Sequence, residues 1–193
     1  MNIAVIGTGF IGGILGRALA RAGNDVSFGS RHPDDGGVAE DTSARVAPIA
    51  DALTSADVVI LALPGSAVAG LTAEHGGVLA GKLVIDATNR IGQPVSNGRP
   101  ALPSTVRYAR AFNTLGGETL ADPAFADGPA DMFFSAPGAD RATVEAIIAD
   151  VGLRPVYLGE DQEALLDSLV TLWFQLAIKQ GLGRHIALRV LDH

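Results

Sequence analysis

Apolar positions in this chain come in short runs rich in β-branched residues, and stretches with helical spacing separate them. Ile3-Ala4-Val5-Ile6, Val26-Ser27-Phe28, residues 56–64, residues 82–86 and residues 106–112 read as strands. Their near-continuous hydrophobicity is that of parallel strands covered on both faces. Between the first two, Ile11, Leu15, Ala18, Leu19 and Ala22 fall on one helical face, and Gly23 ends the helix. Arg45-Val46 reads as a short further strand, with Pro48 in the first turn of a helix to Thr54. A helix from Gly65 to Glu74 follows the strand that ends at Leu63-Pro64. Late in the chain, residues 131–135 and 154–158 read as strands around a helix over 141–151. Residues 90–105 and 117–131 carry no clear period. Unpatterned connections beyond ~12–15 residues are uncommon inside compact domains and are often site loops. Both leave from strand ends, so they are expected to frame a site.

The helix over 160–180 differs from the others. Leu165, Leu166, Leu169, Val170, Leu172, Trp173, Phe174, Leu176 and Ile178 leave it almost no polar face. Glu160, Asp161 and Glu163 fall in its first turn, where they suit the helix dipole. A helix apolar all round requires cover on every side. A terminal helix on a small domain cannot find that within one subunit, so a homodimer is expected.

The chemistry starts at Gly7-Thr8-Gly9-Phe10-Ile11-Gly12, a G-x-G-x-x-G placed between the first strand and the first helix. Gly7 allows the tight turn. Gly9 leaves room for a pyrophosphate beside the backbone, and Gly12 lets the helix pack on the strand. The helix N-terminus presents free N–H groups to the phosphates. The fold class that follows is α/β: a Rossmann-type, doubly wound, mostly parallel sheet with a short C-terminal helical extension. Its expected division is a dinucleotide-binding domain over 1–158 and a helical segment over 159–193 for dimerisation and the acceptor pocket.

The end of the second strand selects the cofactor. An NAD site places an acid there for the ribose 2′-OH. Here Gly29-Ser30-Arg31 stands instead, with Asp25 before the strand and Asp34 and Asp35 beyond the turn. Ser30 can donate one hydrogen bond to a 2′-phosphate. Arg31 can donate a forked pair and stack on adenine, which points to NADP. His32 is an exposed turn residue or a cap on the adenine. In an open α/β sheet ligands lie beyond the carboxyl ends of the strands. Leu63, Pro64 and Ser66 therefore either run along the cofactor or form an ordinary strand–helix turn. Asp86 is suited to capping loop N–H groups, and Asn89 could reach the nicotinamide side.

Composition narrows the class. The chain has 193 residues, 48% of them hydrophobic, with a net charge of −7 and no basic run, which argues against nucleic acid. There is no cysteine, hence no disulfide, thiolate metal site or cysteine nucleophile. No metal site is expected. The chain opens directly on a strand, so neither a signal peptide nor a membrane span is expected, and a cytoplasmic setting fits.

With the glycine turn, Ser30-Arg31, Asp86 to Asn89 and Ala111-Phe112-Asn113-Thr114 in view, the chain resembles the coenzyme F420-dependent NADP oxidoreductase family over its whole length. Gly181-Leu182-Gly183-Arg184 and Leu188-Arg189-Val190-Leu191 belong to the likeness. The resemblance implies NADP held by Gly7, Thr8, Gly9, Phe10, Ile11, Ser30 and Arg31, with the nicotinamide near Leu63, Pro64 and Asn113. It also implies a short second half that packs dimers. The family includes relatives with other acceptors, among them metal reductase domains that reduce a bound flavin.

What is missing agrees with hydride transfer to a deazaflavin such as coenzyme F420. No Ser-Tyr-Lys, His-Asp or metal-ligand constellation stands out, and His75, on a loop, and His185 and His193, near the C-terminus, are scattered. Ketone reduction wants a proton donor near the nicotinamide. Hydride delivery to a deazaflavin makes less demand for one. Asn113 is the candidate catalytic position, able to hold one ring edge, or else a turn residue that caps its loop. The alternatives are a reductase of small imines or ketones, of flavin or of ferric acceptors, and a non-catalytic NADP-binding redox sensor.

Overall fold

The computed structural model describes residues 1–34, 36–89 and 98–191. Its main sheet has six parallel strands: β1 (Asn2–Ile6), β2 (Asp25–Ser30), β3 (Arg45–Pro48), β4 (Val58–Leu61), β5 (Leu83–Asp86) and β6 (Arg107–Arg110). Their order is β3-β2-β1-β4-β5-β6. Parallel neighbours need crossovers, and α1 (Phe10–Arg21), α2 (Ile49–Ser55) and α3 (Val68–Leu79) supply three of them. Alternation along β1 sorts the two faces. Ile3 and Val5 pack with Leu15 and Leu19 of α1, while Ala4 and Ile6 pack with Leu53 of α2 and Leu71 of α3. Both faces are covered, which is why the strands read as unbroken apolar runs.

Beyond β6 come α4 (Gly117–Ala121) and a small hairpin of β7 (Ala124–Phe125) and β8 (Gly128–Pro129). Then β9 (Asp131–Phe134) and β10 (Arg154–Tyr157) pair in parallel around α5 (Arg141–Asp150). An Arg110–Ser135 bridge joins this pair to the end of β6. The last helix is α6 (Glu163–Phe174), continued by a π-helical turn, Gln175–Lys179. Residues after Gly183 run back as a strap. Arg184 Nε donates to Glu118 at 2.7 Å, Thr119 Oγ1 to the Ile186 carbonyl at 3.3 Å, and the Val190 N–H to buried Asp131 at 2.7 Å.

Several sequence expectations need correction. Residues 117–131 are structured, but elements of five and two residues are too short to show a period. Of the stretch 90–105, residues 90–97 lie outside the described residues, as do Asp35 and His193; the remainder includes a 3-10 turn, Arg99–Ala101. Pro48 precedes α2 as its N-cap. A 3-10 turn, Gly65–Ala67, comes before α3, which runs on to Leu79 and carries His75. Asp25 opens β2 and pairs with Arg45. Glu160 and Asp161 stand outside α6, because Asp161 turns the chain at a φ of 58°. Arg99 pairs with both Asp161 and Glu163. Within the single chain α6 buries only Leu166, Val170 and Trp173. Leu165 and Leu172 on another face stay 47% and 45% exposed. Among the described residues, no helix is long and apolar enough to cross a membrane.

Candidate functional site

One rung of the sheet sets out the site. In the parallel register Gly29, Ile6, Leu61, Asp86 and Arg110 lie side by side. The next residues of the same strands, Ser30, Gly7, Ala62, Ala87 and Ala111, therefore line the carboxyl edge. Strand order reverses direction between β1 and β4, where such sheets bind ligands. Gly7 stands there with a φ of +114°, and a Cβ on it would come within 2.3 Å of the Ala62 carbonyl oxygen. On Gly12 a Cβ would come within 1.9 Å of the Gly7 carbonyl oxygen. Beside Gly9, the N-cap of α1, the space is open. The first bond of α1 runs from the Gly13 N–H to the Gly9 carbonyl at 2.8 Å. The N–H groups of Phe10, Ile11 and Gly12 have no helical acceptor and suit an anion.

At the neighbouring strand end, Ser30 Oγ accepts the His32 N–H at 3.0 Å and fixes the turn. Arg31 is exposed and makes no ion pair among the described residues. His32 is exposed beside it.

A cavity of about 370 Å³ opens against this edge. Gly9, Phe10 and Ile11 form one wall, and Leu63 and Pro64 a second. Phe112, Asn113 and Leu115, with Asn89 beside them, form the third. Val170, Trp173 and Arg184 close the fourth. Seven of the residues expected from sequence thus share one cavity: Gly9, Phe10, Ile11, Leu63, Pro64, Asn89 and Asn113. Gly7, Thr8 and Gly12 complete the turn beside it, and Ser30 and Arg31 occupy the adjacent strand end. Ser66 is exposed on its 3-10 turn, outside the lining.

The third wall is unusual in its backbone and its polarity. Phe112 has a φ of 64°, a left-handed conformation that a bulky residue adopts at a cost of ~1–3 kcal/mol. Asn113 after it is 2% exposed, yet neither its Nδ2 nor its Oδ1 has a partner. Asn89 donates from Nδ2 to the Asn113 carbonyl at 2.7 Å and leaves its own Oδ1 unpartnered. Each such group costs ~1–3 kcal/mol unless something in the cavity satisfies it.

Beneath this wall lies a buried ionic network that sequence reading found only in part. Asp86 caps the loop as expected, accepting the Thr88 N–H at 2.8 Å and the Gly98 N–H at 2.6 Å. It also accepts the Tyr108 hydroxyl at 2.7 Å, and burial with this carboxylate alongside drives the phenol pKa far up, keeping it protonated. Fully buried Arg110 reaches Asp86 at 3.4 Å, the Thr88 carbonyl at 3.1 Å and Asp167 of α6 at 2.7 Å. The network ties β5, β6 and α6 to the Ala87-Thr88-Asn89 turn. Arg110 gave no signal in sequence, because a charge inside an apolar strand pattern reads as an edge residue.

Among the described lining residues Arg184 is the sole ionisable side chain. It pairs with Glu118, which holds that carboxyl below its usual range, and it lies 5.8 Å from the Trp173 ring. His185 stacks against Phe125 and contacts the Asp122 carbonyl, away from the lining. No cluster of metal-ligating side chains occurs among the described residues.

Comparison with known proteins places this geometry. A candidate F420-dependent NADP reductase from Arthrobacter sp. FB24 has the same fold, with a TM-score of 0.82, 24% identity and 100% coverage of both chains. A hypothetical protein from Sinorhizobium meliloti is 28% identical, with a TM-score of 0.72 over 100% of this chain and 96% of its own. An imine reductase from Aspergillus terreus, solved with NADPH4, shares the fold at 21% identity and a TM-score of 0.69, over 93% of this chain and 63% of its own. Residues 2–90, which carry the glycine turn, the Ser30-Arg31 end of β2 and the second wall of the cavity, match the family described as NADP oxidoreductase, coenzyme F420-dependent.

Proposed function

We propose that this protein transfers a hydride between NADP(H) and a deazaflavin of the coenzyme F420 type, or a closely similar planar acceptor. The observation that carries the reading is Asn113, a buried amide with both polar atoms unpartnered in a cavity whose described lining offers no carboxylate, imidazole, phenol or ammonium. An amide of that kind orients a ring edge and donates no proton to the reacting carbon. NADPH, when bound, supplies the hydride, and the chain's task is orientation. The residues present fit the cofactor. Open space at Gly9 and the free α1 amides suit the pyrophosphate, and Arg31, exposed and without an ion pair among the described residues, suits a 2′-phosphate. Asn89 and Asn113 suit the carboxamide end. Phe10, Leu63, Pro64 and Trp173 supply flat apolar walls that exclude water around it.

A second copy of the chain is the proposed partner. Leu165, Leu169, Leu172 and Leu176 recur at four- and three-residue spacing along α6 and its π turn. Leu165 and Leu172 are exposed and Leu169 and Leu176 half-buried, a seam suited to a matching helix.

The test is turnover of NADPH with oxidised F420, free flavin, ferric chelate and a panel of ketones and imines. F420 should turn over fastest. Faster turnover with any other acceptor overturns the deazaflavin reading, and tight NADPH binding with no turnover favours the sensor. Asn113→Ala should slow hydride transfer by roughly ten-fold or more at nearly unchanged NADPH affinity, since the glycine turn and Arg31 hold the other end.

A further inference from the structure

We infer that Met132, a buried residue of β9 away from the cavity lining, is a positioning residue for Asn113. The inference rests on the reading of the cavity as the nicotinamide site. Asn113 follows a left-handed Phe112, and a bulky residue holds that conformation only where its surroundings impose it. Within the core around Phe112, the acceptor of its N–H is a sulfur. The Phe112 N–H donates to Met132 Sδ at 3.1 Å, and Thr114 Oγ1 lies 3.7 Å from the same atom. The thioether thus takes a donor on each side of Asn113. Residues 111 and 113 to 115 are all buried, and no other acceptor for the Phe112 N–H occurs among the described residues. Methionine sulfur is a weak acceptor, but the alternative for this buried N–H is no acceptor at all. With its two neighbours tied back to β9, Asn113 lines the cavity and keeps both atoms of its buried amide unspent. Leucine or norleucine at 132 would fill the same space and remove the acceptor, so shape and sulfur can be separated.

The chain makes that separation direct, because it has two methionines and the other, Met1, is half-exposed at the N-terminus. Full replacement by norleucine or by selenomethionine therefore alters one internal position, as does Met132→Leu. Two readouts apply: hydrogen exchange of the Phe112 amide, and the emission of NADPH, which reports how the nicotinamide is held. Met132→Leu and the norleucine protein should exchange the Phe112 amide at least ten-fold faster than wild type. They should bind NADPH within about two-fold of wild type, yet lower its bound emission to the Asn113→Ala level. The double variant should fall no further than Asn113→Ala. Selenomethionine, which keeps a chalcogen acceptor, should behave as wild type. If Met132→Leu folds poorly, the norleucine protein gives the same comparison without a branched side chain. Wild-type exchange at Phe112 in both sulfur-free proteins would overturn the inference. So would equal losses in the norleucine and selenomethionine proteins, since they would trace to packing. If NADPH emission does not change on binding wild type, the nicotinamide reading fails, while amide exchange still decides whether the sulfur holds the loop.

Discussion

The two ends of the site are built from different materials. At the end proposed for the phosphates, residues 7–13 offer backbone: a left-handed glycine, an open N-cap and N–H groups without helical acceptors. At the ring end, side chains from β5, the β6 loop, α6 and the strap converge, and several are held in costly states. Phe112 is left-handed, Asn89 and Asn113 carry unpartnered amide atoms, and Arg110 is a fully buried cation beneath them. The first end is a shape that any side chain would fill. The second is an arrangement that keeps its shape when trimmed but loses its aim. Substitutions at the two ends should therefore fail in different ways.

The sharpest break should come from Gly12→Ala. Its Cβ would sit 1.9 Å from the Gly7 carbonyl oxygen, which belongs to backbone and cannot swing aside. Overpacking of that kind costs ~1–3 kcal/mol or more, and here it would displace α1 from β1 at the position proposed for the pyrophosphate. NADPH affinity should fall by roughly 100-fold, with a lowered melting temperature. Calorimetric titration beside a thermal scan measures both. Binding within two-fold of wild type would mean that the backbone at this end is not the determinant.

The ring end depends on α6, and so on the proposed second copy. Changing Leu165 and Leu172 together to Glu should shift the mass in light scattering from two chains to one. Burying a leucine is worth ~1.5–3 kcal/mol, so losing two should weaken association by more than about 100-fold. NADPH should still bind, since Leu165 and Leu172 lie outside the cavity lining. A wild type that is monomeric at micromolar concentration removes the partner altogether.

How legible each end was in sequence follows the same division. The glycine turn, its strand and its helix are contiguous, so local spacing carries the geometry of Gly7, Gly9 and Gly12. The sheet was legible for a similar reason: continuous apolar runs can only be covered on both faces. Asn113 was reachable as a loop residue after a strand. Its company was not, because Arg110, Asp167 and Met132 act through contacts across 18 to 57 positions of chain. A methionine inside Asp131–Phe134 looks like any core residue, and nothing local shows which way its sulfur points. The helix 160–180 misled in its own way. Hydrophobic count fixed that it must be covered, but which faces are covered within one chain depends on where α6 lies.

A smaller effect is expected at the end of β2, the place proposed for the adenosine. Arg31 is exposed and makes no ion pair among the described residues, so its removal disturbs no packing. A charge-assisted hydrogen bond contributes ~1.5–3 kcal/mol, so Arg31→Ala should weaken NADPH by about ten-fold or more and leave NADH unchanged. Paired titrations with the two nucleotides measure it. If wild type binds both alike, Arg31 is a solvated turn residue and the choice of nucleotide lies elsewhere.

The smallest effect belongs to the strap that closes the ring end. Arg184 holds Glu118 at 2.7 Å and lowers its carboxyl pKa from an ordinary 4.5. A carboxyl whose folded pKa is depressed favours the fold above the unfolded value. The gain is lost as pH falls through the lowered folded value, so the window lies below about pH 4.5. Both side chains are more than 40% exposed, and solvent screens the pair to roughly 0.2–1 kcal/mol. Global melting would scarcely register that. Trp173 would, since it is the one tryptophan of the chain and has the Arg184 guanidinium 5.8 Å from its ring. Acid titration of wild type at low salt should move Trp173 emission before the fold is lost. In Glu118→Gln the emission should already be shifted at neutral pH and stay flat across the same window. High salt should bring wild type toward the variant, because ions screen an exposed pair at this separation. Identical acid titrations for the two proteins would show that the strap is held by its backbone bonds at Ile186 and Val190, and that the ring end needs no charge to stay closed.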